Sequence, residues 1–72
     1  MNNSEDRYDV KYYVRDPLAK DGETLIEDSY SDKNTAHSMA IVASRSSKNP
    51  WNSASVWRNG SWIAEYQNGM LP

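Results

Sequence analysis

The chain contains no cysteine, and this absence excludes a disulfide framework, a thiolate metal site and a cysteine nucleophile. It also has a single histidine, His37, with no H-x-x-x-H or clustered carboxylate pattern beside it. We therefore expect no metal site, and we interpret His37 as a solvated residue beside the apolar stripe of a helix. No apolar run approaches the roughly 20 residues that span a bilayer, and we expect no secretion signal. These absences favour a cytoplasmic protein without membrane contact.

Catalytic and phosphate-binding motifs are missing as well. The serines lie outside any G-x-S-x-G elbow, and the adjacent carboxylates of Glu27 and Asp28 should point to opposite faces of a strand. Gly22, Gly60 and Gly69 are far apart, so they form no phosphate-binding loop. We expect neither an enzyme nor a cofactor.

Phenylalanine is also absent, which limits how the core can be built. A chain of 72 residues is one domain, and folding at this size buries only about 60% of the surface that the unfolded chain exposes. The bulky residues include three tryptophans and five tyrosines. Some of these rings must therefore contribute to the core.

The patterns that are present predict one α+β domain, a four-stranded antiparallel sheet with one helix on one face, in the order β-β-α-β-β. Residues 7–66 should form this domain, between a disordered N-terminal segment at residues 1–6 and a flexible tail at residues 67–72. Residues 7–15 alternate between apolar and polar side chains, as a half-buried strand does. Its polar side carries Asp9, Lys11, Tyr13 and Arg15. A second strand should follow at residues 24–30.

A helix is predicted at residues 32–46, because Ser31 or Asp32 can cap its N terminus and apolar residues recur with helical period. The apolar stripe contains Ala36, Met39, Ala40 and Ala43, with Val42 at its margin. These side chains are mostly small, so the helix should approach the sheet closely. Ile41 falls on the opposite side, next to Arg45, and should be exposed.

The segment Trp57-Arg58-Asn59-Gly60-Ser61-Trp62 predicts a hairpin at residues 54–66, with Trp51 anchoring the loop before it. Asn-Gly suits both positive-φ positions of a type I′ turn, so Trp57 and Trp62 should pair across the strands. Counting outward places Trp57, Trp62, Ala64 and Tyr66 on one face and Ala54, Val56, Ile63 and Glu65 on the other. We favour the tryptophans toward the helix, where its alanines leave volume. The alternative is an exposed aromatic platform.

Charge divides the chain into two halves. Residues 1–32 carry nine acids and four bases, a net charge of −5. Residues 33–72 carry four bases and one acid, a net charge of +3. This asymmetry predicts an acidic region and a mildly basic region on the surface, which would steer a charged partner.

The leading functional hypothesis is a small protein-binding module that contacts a larger protein through its acidic strands, a sheet edge or an exposed aromatic residue. In architecture and charge, such a small acidic domain resembles phage-encoded inhibitors of host enzymes. The resemblance implies a role as an inhibitor or adaptor. The candidate protein-contact residues are Asp9, Lys11, Tyr13, Glu27, Asp28 and Ile41.

Nucleic-acid binding is the alternative hypothesis. The segment Tyr12-Tyr13-Val14-Arg15-Asp16-Pro17, followed by a turn, a strand and a helix, resembles the arm-binding N-terminal domains of tyrosine recombinases over residues 8–45. That resemblance implies a sheet in the major groove, but the extra hairpin and the net charge of −5 over residues 1–32 depart from this basic family. A single strand stacked on the two tryptophans is a second mode. The candidate nucleic-acid contacts are Arg45, Lys48, Trp57, Arg58 and Trp62.

Overall fold

A computed structural model describes residues 6–18, 20 and 22–71, which form a four-stranded antiparallel sheet with one helix packed on one face. The predicted order β-β-α-β-β is confirmed. The elements are β1 (Tyr8–Arg15), β2 (Glu23–Tyr30), α1 (Lys33–Arg45), β3 (Ser53–Arg58) and β4 (Ser61–Gln67). The predicted boundaries differ from these by one residue at most.

The strand order across the sheet is β2-β1-β3-β4. The two hairpins join sequence neighbours, whereas the central pair, β1 and β3, is joined through β2 and α1. Val10 of β1 lies opposite Val56 of β3, and both side chains are fully buried. The acidic first half of the chain supplies β2 and β1, and the mildly basic second half supplies α1, β3 and β4.

Helix α1 begins after Asp32, whose carboxylate accepts hydrogen bonds from the Thr35 backbone N–H at 2.7 Å and from its hydroxyl at 2.9 Å. These bonds lower the pKa of the Asp32 carboxyl, because they stabilise its charged form. The cap is therefore Asp32 and not Ser31, the other residue that the sequence allowed. Both lie within one residue of the predicted start.

The buried face of α1 differs in part from the predicted stripe. Ala36, Ala40 and Ala43 are buried as expected, but Met39 and Val42 are exposed. Ser44 is fully buried in their place: its hydroxyl donates to the Ile41 carbonyl and accepts a hydrogen bond from the Gly69 N–H. The segment after β4 thus packs against this side of the helix. The buried face of α1 therefore includes Ser44 in place of Met39 and Val42.

The core lies between α1 and the two central strands. Its buried apolar members are Tyr8, Val10, Ala36, Ala40, Ala43, Ala54 and Val56. Tyr12, Tyr30, Ala64 and Tyr66 pack around them. Four of the seven buried members are alanine, so the helix lies close to the strands, and half-buried tyrosines fill the margin.

The loop between α1 and β3 is anchored by Asn49, which is buried, and not by Trp51, which is exposed. The Asn49 amide donates to the carbonyls of Ala43 and Ser53, and its side-chain oxygen accepts from the N–H groups of Trp51 and Asn52. One amide side chain therefore joins the end of the helix to the start of β3. The prediction of Trp51 as the anchor is wrong, because a small buried amide satisfies four backbone groups that an indole cannot.

The N-terminal segment predicted to be disordered falls almost wholly on residues 1–5, which lie outside the described residues. Asp6 is described, and its carboxylate accepts hydrogen bonds from the Arg58 guanidinium at 2.9 Å and from the Asn59 amide at 3.2 Å. The N–H of Asn59 donates to the Arg7 carbonyl. Residues 6 and 7 are thus bonded to the β3–β4 turn.

Residues 67–71, within the predicted tail, make several backbone hydrogen bonds. Gln67 ends β4, and the Asn68 N–H donates to the Asn52 carbonyl at 2.9 Å. Met70 forms an antiparallel bridge with Gln67. Pro72 lies outside the described residues, and flexibility of the segment stays a prediction.

Ala40→Asp should destabilise the domain by about 3–5 kcal/mol, because Ala40 is fully buried between α1 and the sheet and the carboxylate would be unpaired there. Val42→Asp is the matched control: it lies on the same helix but is exposed, so its effect should stay within about 0.5 kcal/mol. Thermal denaturation of both variants measures the difference. Equal midpoints would contradict the assigned helix face.

Candidate functional site

The face of the sheet away from α1, called the open face below, carries side chains in rows across the strands. Among the described residues, no helix or further strand covers it. Strand pairing defines three rows: Ser29, Asp9, Trp57 and Trp62; Glu27, Lys11, Ser55 and Glu65; Leu25 and Tyr13. Polar and apolar side chains are mixed on this face, unlike the alanine-rich and valine-rich core on the other.

The two-residue turn between β3 and β4 agrees with the sequence prediction. Asn59 and Gly60 both have positive φ, 50° and 88°. Arg58 lies opposite Ser61, and Trp57 lies opposite Trp62. The Asn-Gly turn therefore sets the predicted tryptophan pair.

A β-bulge in the same hairpin overturns the predicted faces. Val56 pairs with Ala64 while Trp57 pairs with Trp62, so Ile63 is an extra residue between the two pairs. The extra residue reverses the alternation along β4. Ala64 and Tyr66 then face the helix and fill the space beside its alanines, whereas both tryptophans lie on the open face. The prediction that they face the helix is wrong.

Lys11 and Ser55 hold Trp57 in place on the open face. The Lys11 ammonium lies 4.2 Å from the centroid of the indole ring, a cation–π distance. The indole N–H donates to the Ser55 hydroxyl at 2.9 Å. Trp57 is therefore half-buried with its polar group satisfied, whereas 55% of Trp62 is exposed.

A shallow depression of about 280 Å³ lies on the open face over β3. It forms there because β3 presents the small side chains of Ser53 and Ser55 between larger neighbours on both sides. The neighbours that line it include Lys11, Tyr13, Leu25 and Glu65. The depression is wide enough to receive a side chain of a partner, and it separates the Tyr13–Leu25 pair from the tryptophan pair.

The open face carries more acids than bases. Its bases are Lys11, Arg15 and Arg7, which is ion-paired with Asp9, and its acids are Asp9, Glu23, Glu27 and Glu65. Asp9 is buried, and its carboxylate accepts hydrogen bonds from the Ser29 hydroxyl at 2.7 Å and the Arg7 guanidinium at 3.2 Å. Asp9 therefore has a structural role beside Trp57, while the glutamates give the face its negative charge.

The predicted protein-contact residues divide between two faces. Asp9, Lys11, Tyr13 and Glu27 share the open face. Asp28 lies opposite Val10, on the helix side of β2, near Tyr12 and Tyr30. The pKa of both phenols is raised by burial first and then by the Asp28 charge. Ile41 lies on α1 and is half-buried, so the prediction that it is exposed is wrong.

The predicted nucleic-acid contacts are not gathered around the tryptophans. Arg58 lies at the Tyr8 end of β1 and is ion-paired with Asp6, while the Lys48 carbonyl accepts from the Arg15 N–H at the other end. These ends are about 23 Å apart at the rise of a β-strand. The base that does contact a tryptophan is Lys11, which belongs to the predicted protein-contact residues, because strand alternation does not show that β1 pairs with β3.

Arg45 belongs to the same set of predicted contacts and lies at the C-terminal end of α1, with its side chain beside Gly69. It is on the helix side of the sheet, whereas Trp57 and Trp62 are on the open face. The two tryptophans therefore lie together on the open face without Arg45 or Arg58.

His37 bonds Tyr66 and is not the solvated residue that the sequence predicted. Its Nδ1 lies 2.7 Å from the Tyr66 hydroxyl, and the two rings meet edge to face with centroids 5.7 Å apart. Nε2 is buried and has no partner among the described residues. Burial lowers the pKa of His37, and the nearby Lys33 charge lowers it further.

Within the described part of the chain, no group of three or more histidine or acidic side chains is arranged to hold a metal ion. No helix in that part is long and apolar enough to cross a membrane. Comparison of the chain with protein-family models, curated proteins and solved structures finds no match. The geometry of the open face is therefore the basis for the functional proposal that follows.

Gly60→Val should destabilise the domain more than Ser61→Val. Residue 60 has a φ of 88°, which a β-branched side chain resists at a cost of about 1–3 kcal/mol, while Ser61 occupies an ordinary strand position. Denaturation measures the stability of both variants, and near-ultraviolet circular dichroism follows the Trp57–Trp62 pair. Equal stability with an unchanged aromatic signal would contradict the turn.

His37 should make the domain less stable in mild acid. Its pKa is lowered in the folded state, so below about 6.5 the unfolded chain binds a proton first and stability falls with pH. His37→Gln should therefore lose less thermal stability than the parent between pH 7.5 and 5.5. The two proteins differ only at residue 37, so the difference between their stability curves isolates the contribution of that residue. A ring titration by NMR with a midpoint at or above the ordinary value would contradict the prediction.

Proposed function

We propose that this chain is a non-enzymatic protein-binding module and that the open face is its contact surface for a larger protein. The observation that carries the proposal is the exposure of large apolar side chains on that face: Trp62, Tyr13 and Leu25 are 55%, 43% and 41% exposed. Burying large apolar side chains would stabilise a domain with so small a core, yet folding leaves these three exposed to water. Large apolar side chains exposed together on one face are typical of protein contact sites.

The arrangement of the open face also favours protein contact. Its two apolar pairs, Tyr13–Leu25 and Trp57–Trp62, lie toward opposite corners, and the row of Glu27, Lys11, Ser55 and Glu65 runs between them. Aromatic anchors beside polar groups are the usual composition of such interfaces. Trp57 is already fixed by Lys11 and Ser55, so little side-chain entropy is lost when a partner covers it.

Charge favours a protein partner over a nucleic acid. The glutamates of the open face would repel the phosphate backbone, which supplies most of the affinity in nucleic-acid complexes. The same glutamates would attract a basic patch on a protein. A role as an inhibitor or adaptor accords with this acidic surface.

Trp62→Ser should abolish or strongly weaken capture of the partner, while Trp51→Ser should not. The two tryptophans are similarly exposed, 55% and 60%, but Trp51 lies in the loop before β3 and outside the open face. Affinity capture from nuclease-treated extract of the source cell identifies the partner, and titration with the purified partner gives the affinity. We expect a loss of about 30-fold or more for Trp62→Ser, the size of an interface hot spot.

A second matched pair tests the opposite corner of the same face. Leu25→Ser should weaken binding, and Leu18→Ser, in the exposed β1–β2 loop, should leave it unchanged. Loss of capture after nuclease treatment, together with quenching of tryptophan fluorescence by a single-stranded oligonucleotide, would instead support a stacking platform for nucleic acid. Binding that neither Trp62→Ser nor Leu25→Ser weakens would refute the open face as the contact surface.

A further inference from the structure

Strand β4 forms one edge of the sheet, and most of its outer side is unpaired among the described residues. Its inner side bonds β3, since the strand order ends with β4. On the outer side, only Gln67 makes backbone hydrogen bonds to another described residue: its N–H donates to the Met70 carbonyl at 2.7 Å and its carbonyl accepts from the Met70 N–H at 3.0 Å. The edge from Ser61 to Tyr66 has no described backbone partner.

The bonds at Gln67 show what kind of group this edge accepts. Asn68 and Gly69 have positive φ, 53° and 82°, as Asn59 and Gly60 do in the preceding turn. The chain therefore turns back after β4, and Met70 forms an isolated antiparallel bridge with Gln67. At Gln67, the outer edge of β4 thus already makes the hydrogen bonds of strand pairing.

The direction of the other backbone groups follows from Gln67. Residues 64–67 pair regularly with β3, so successive residues direct their N–H and C=O alternately toward β3 and away from it. Because the groups of Gln67 point away from β3, those of Glu65 do so as well. An incoming strand would find a donor and an acceptor at Glu65.

A groove of about 470 Å³ runs beside this edge and is mostly apolar. Ile63, displaced by the bulge, lies in it together with Trp62 and Leu71. The remaining lining residues include His37, Ala64 and Tyr66. A strand added to an edge usually places alternate side chains into such a groove, which supplies the selectivity that backbone bonds lack.

The opposite edge of the sheet lacks these features. Strand β2 carries three acids, Glu23, Glu27 and Asp28, and charged edge strands resist the addition of a further strand. Strand β4 carries one charged residue, Glu65. The two edges therefore differ in the number of charged side chains, which natural sheets use to block pairing. The edge at β4 is the one that can accept a further strand.

We propose that the outer edge of β4 binds an extended segment of a partner protein as an additional β-strand. The segment carries an apolar residue over the groove and a lysine or arginine opposite Glu65. The area favours a short segment over a second copy of the chain. The six-residue edge from Ser61 to Tyr66 is about 20 Å long at the rise of a β-strand, and a strip of that length buries far less than the roughly 800 Å² that each partner buries in a stable complex. The edge shares Trp62 and Glu65 with the open face. The inference nevertheless goes beyond the open face, because it concerns the backbone groups of β4 and the groove beside them and holds without it.

A display library of short random peptides, selected against the purified 72-residue chain, tests the proposal. We expect enriched peptides to alternate β-branched or aromatic residues and to carry a basic residue. Ile63→Lys should weaken their binding about tenfold or more, because a lysine on an edge opposes pairing. Glu65→Pro should do the same, because it removes the N–H that points away from β3. This N–H makes no hydrogen bond to β3, so the pairing of β3 with β4 keeps its own bonds. Leu25→Lys is the matched control: Leu25 and Ile63 are both 41% exposed, but Leu25 lies on the open face.

Four results would overturn the proposal. The first is a selection without enriched sequences, and the second is enriched peptides that bind Ile63→Lys as tightly as the parent. The third is enriched peptides that lose binding only to Leu25→Lys, which would assign binding to the open face. The fourth is a dimer, seen by light scattering in the parent and abolished in Ile63→Lys, which would assign the edge to a second copy. Circular dichroism confirms that each variant is folded, and Ile63→Lys keeps the test valid where Glu65→Pro is not folded.

Discussion

The close approach of α1 to the central strands is the constraint on which the rest of the structure depends. Ala36, Ala40 and Ala43 leave little room between helix and sheet, and Val10 and Val56 fill what remains. No space is left there for an indole ring. Trp57 alternates with the buried Val56 along β3, so Trp57 and its partner Trp62 lie on the open face. The bulge at Ile63 lets Ala64 and Tyr66 face the helix in the same hairpin, so the exposed aromatic surface follows from how the core is packed.

Local patterns predicted the element order, the helix cap and the turn, because each depends on residues within a few positions of one another. Asp32 caps the helix three residues before its partner, and Asn59-Gly60 turns the hairpin on its own dihedral preferences. The bulge was not predictable in this way. A single extra residue changes every face assignment that follows it, and no residue type in β4 marks its position.

The candidate site depends on contacts that are distant in sequence, and sequence reasoning missed those. Lys11 lies over Trp57 because β1 pairs with β3, and His37 bonds Tyr66 because α1 crosses β4. The alternation of β1 correctly placed Asp9, Lys11 and Tyr13 on one face. It does not show which strand lies beside them, and sequence proximity therefore predicts Arg58 and Lys48, not Lys11, as the bases near the tryptophans.

The pairing of β1 with β3 also has a kinetic consequence. The two hairpins close short loops, whereas the pair Lys11–Ser55 encloses β2 and α1 and carries a larger loop-closure entropy. The rows of the open face cross the pairing of β1 with β3, so the face is complete only after these slowest contacts have formed. An indole covered by an ammonium group across the β1–β3 pairing is then an intrinsic fluorescence reporter of complete assembly. In a chain with both hairpins formed but β1 and β3 unpaired, the Trp57 emission would lack the effect of the Lys11 ammonium.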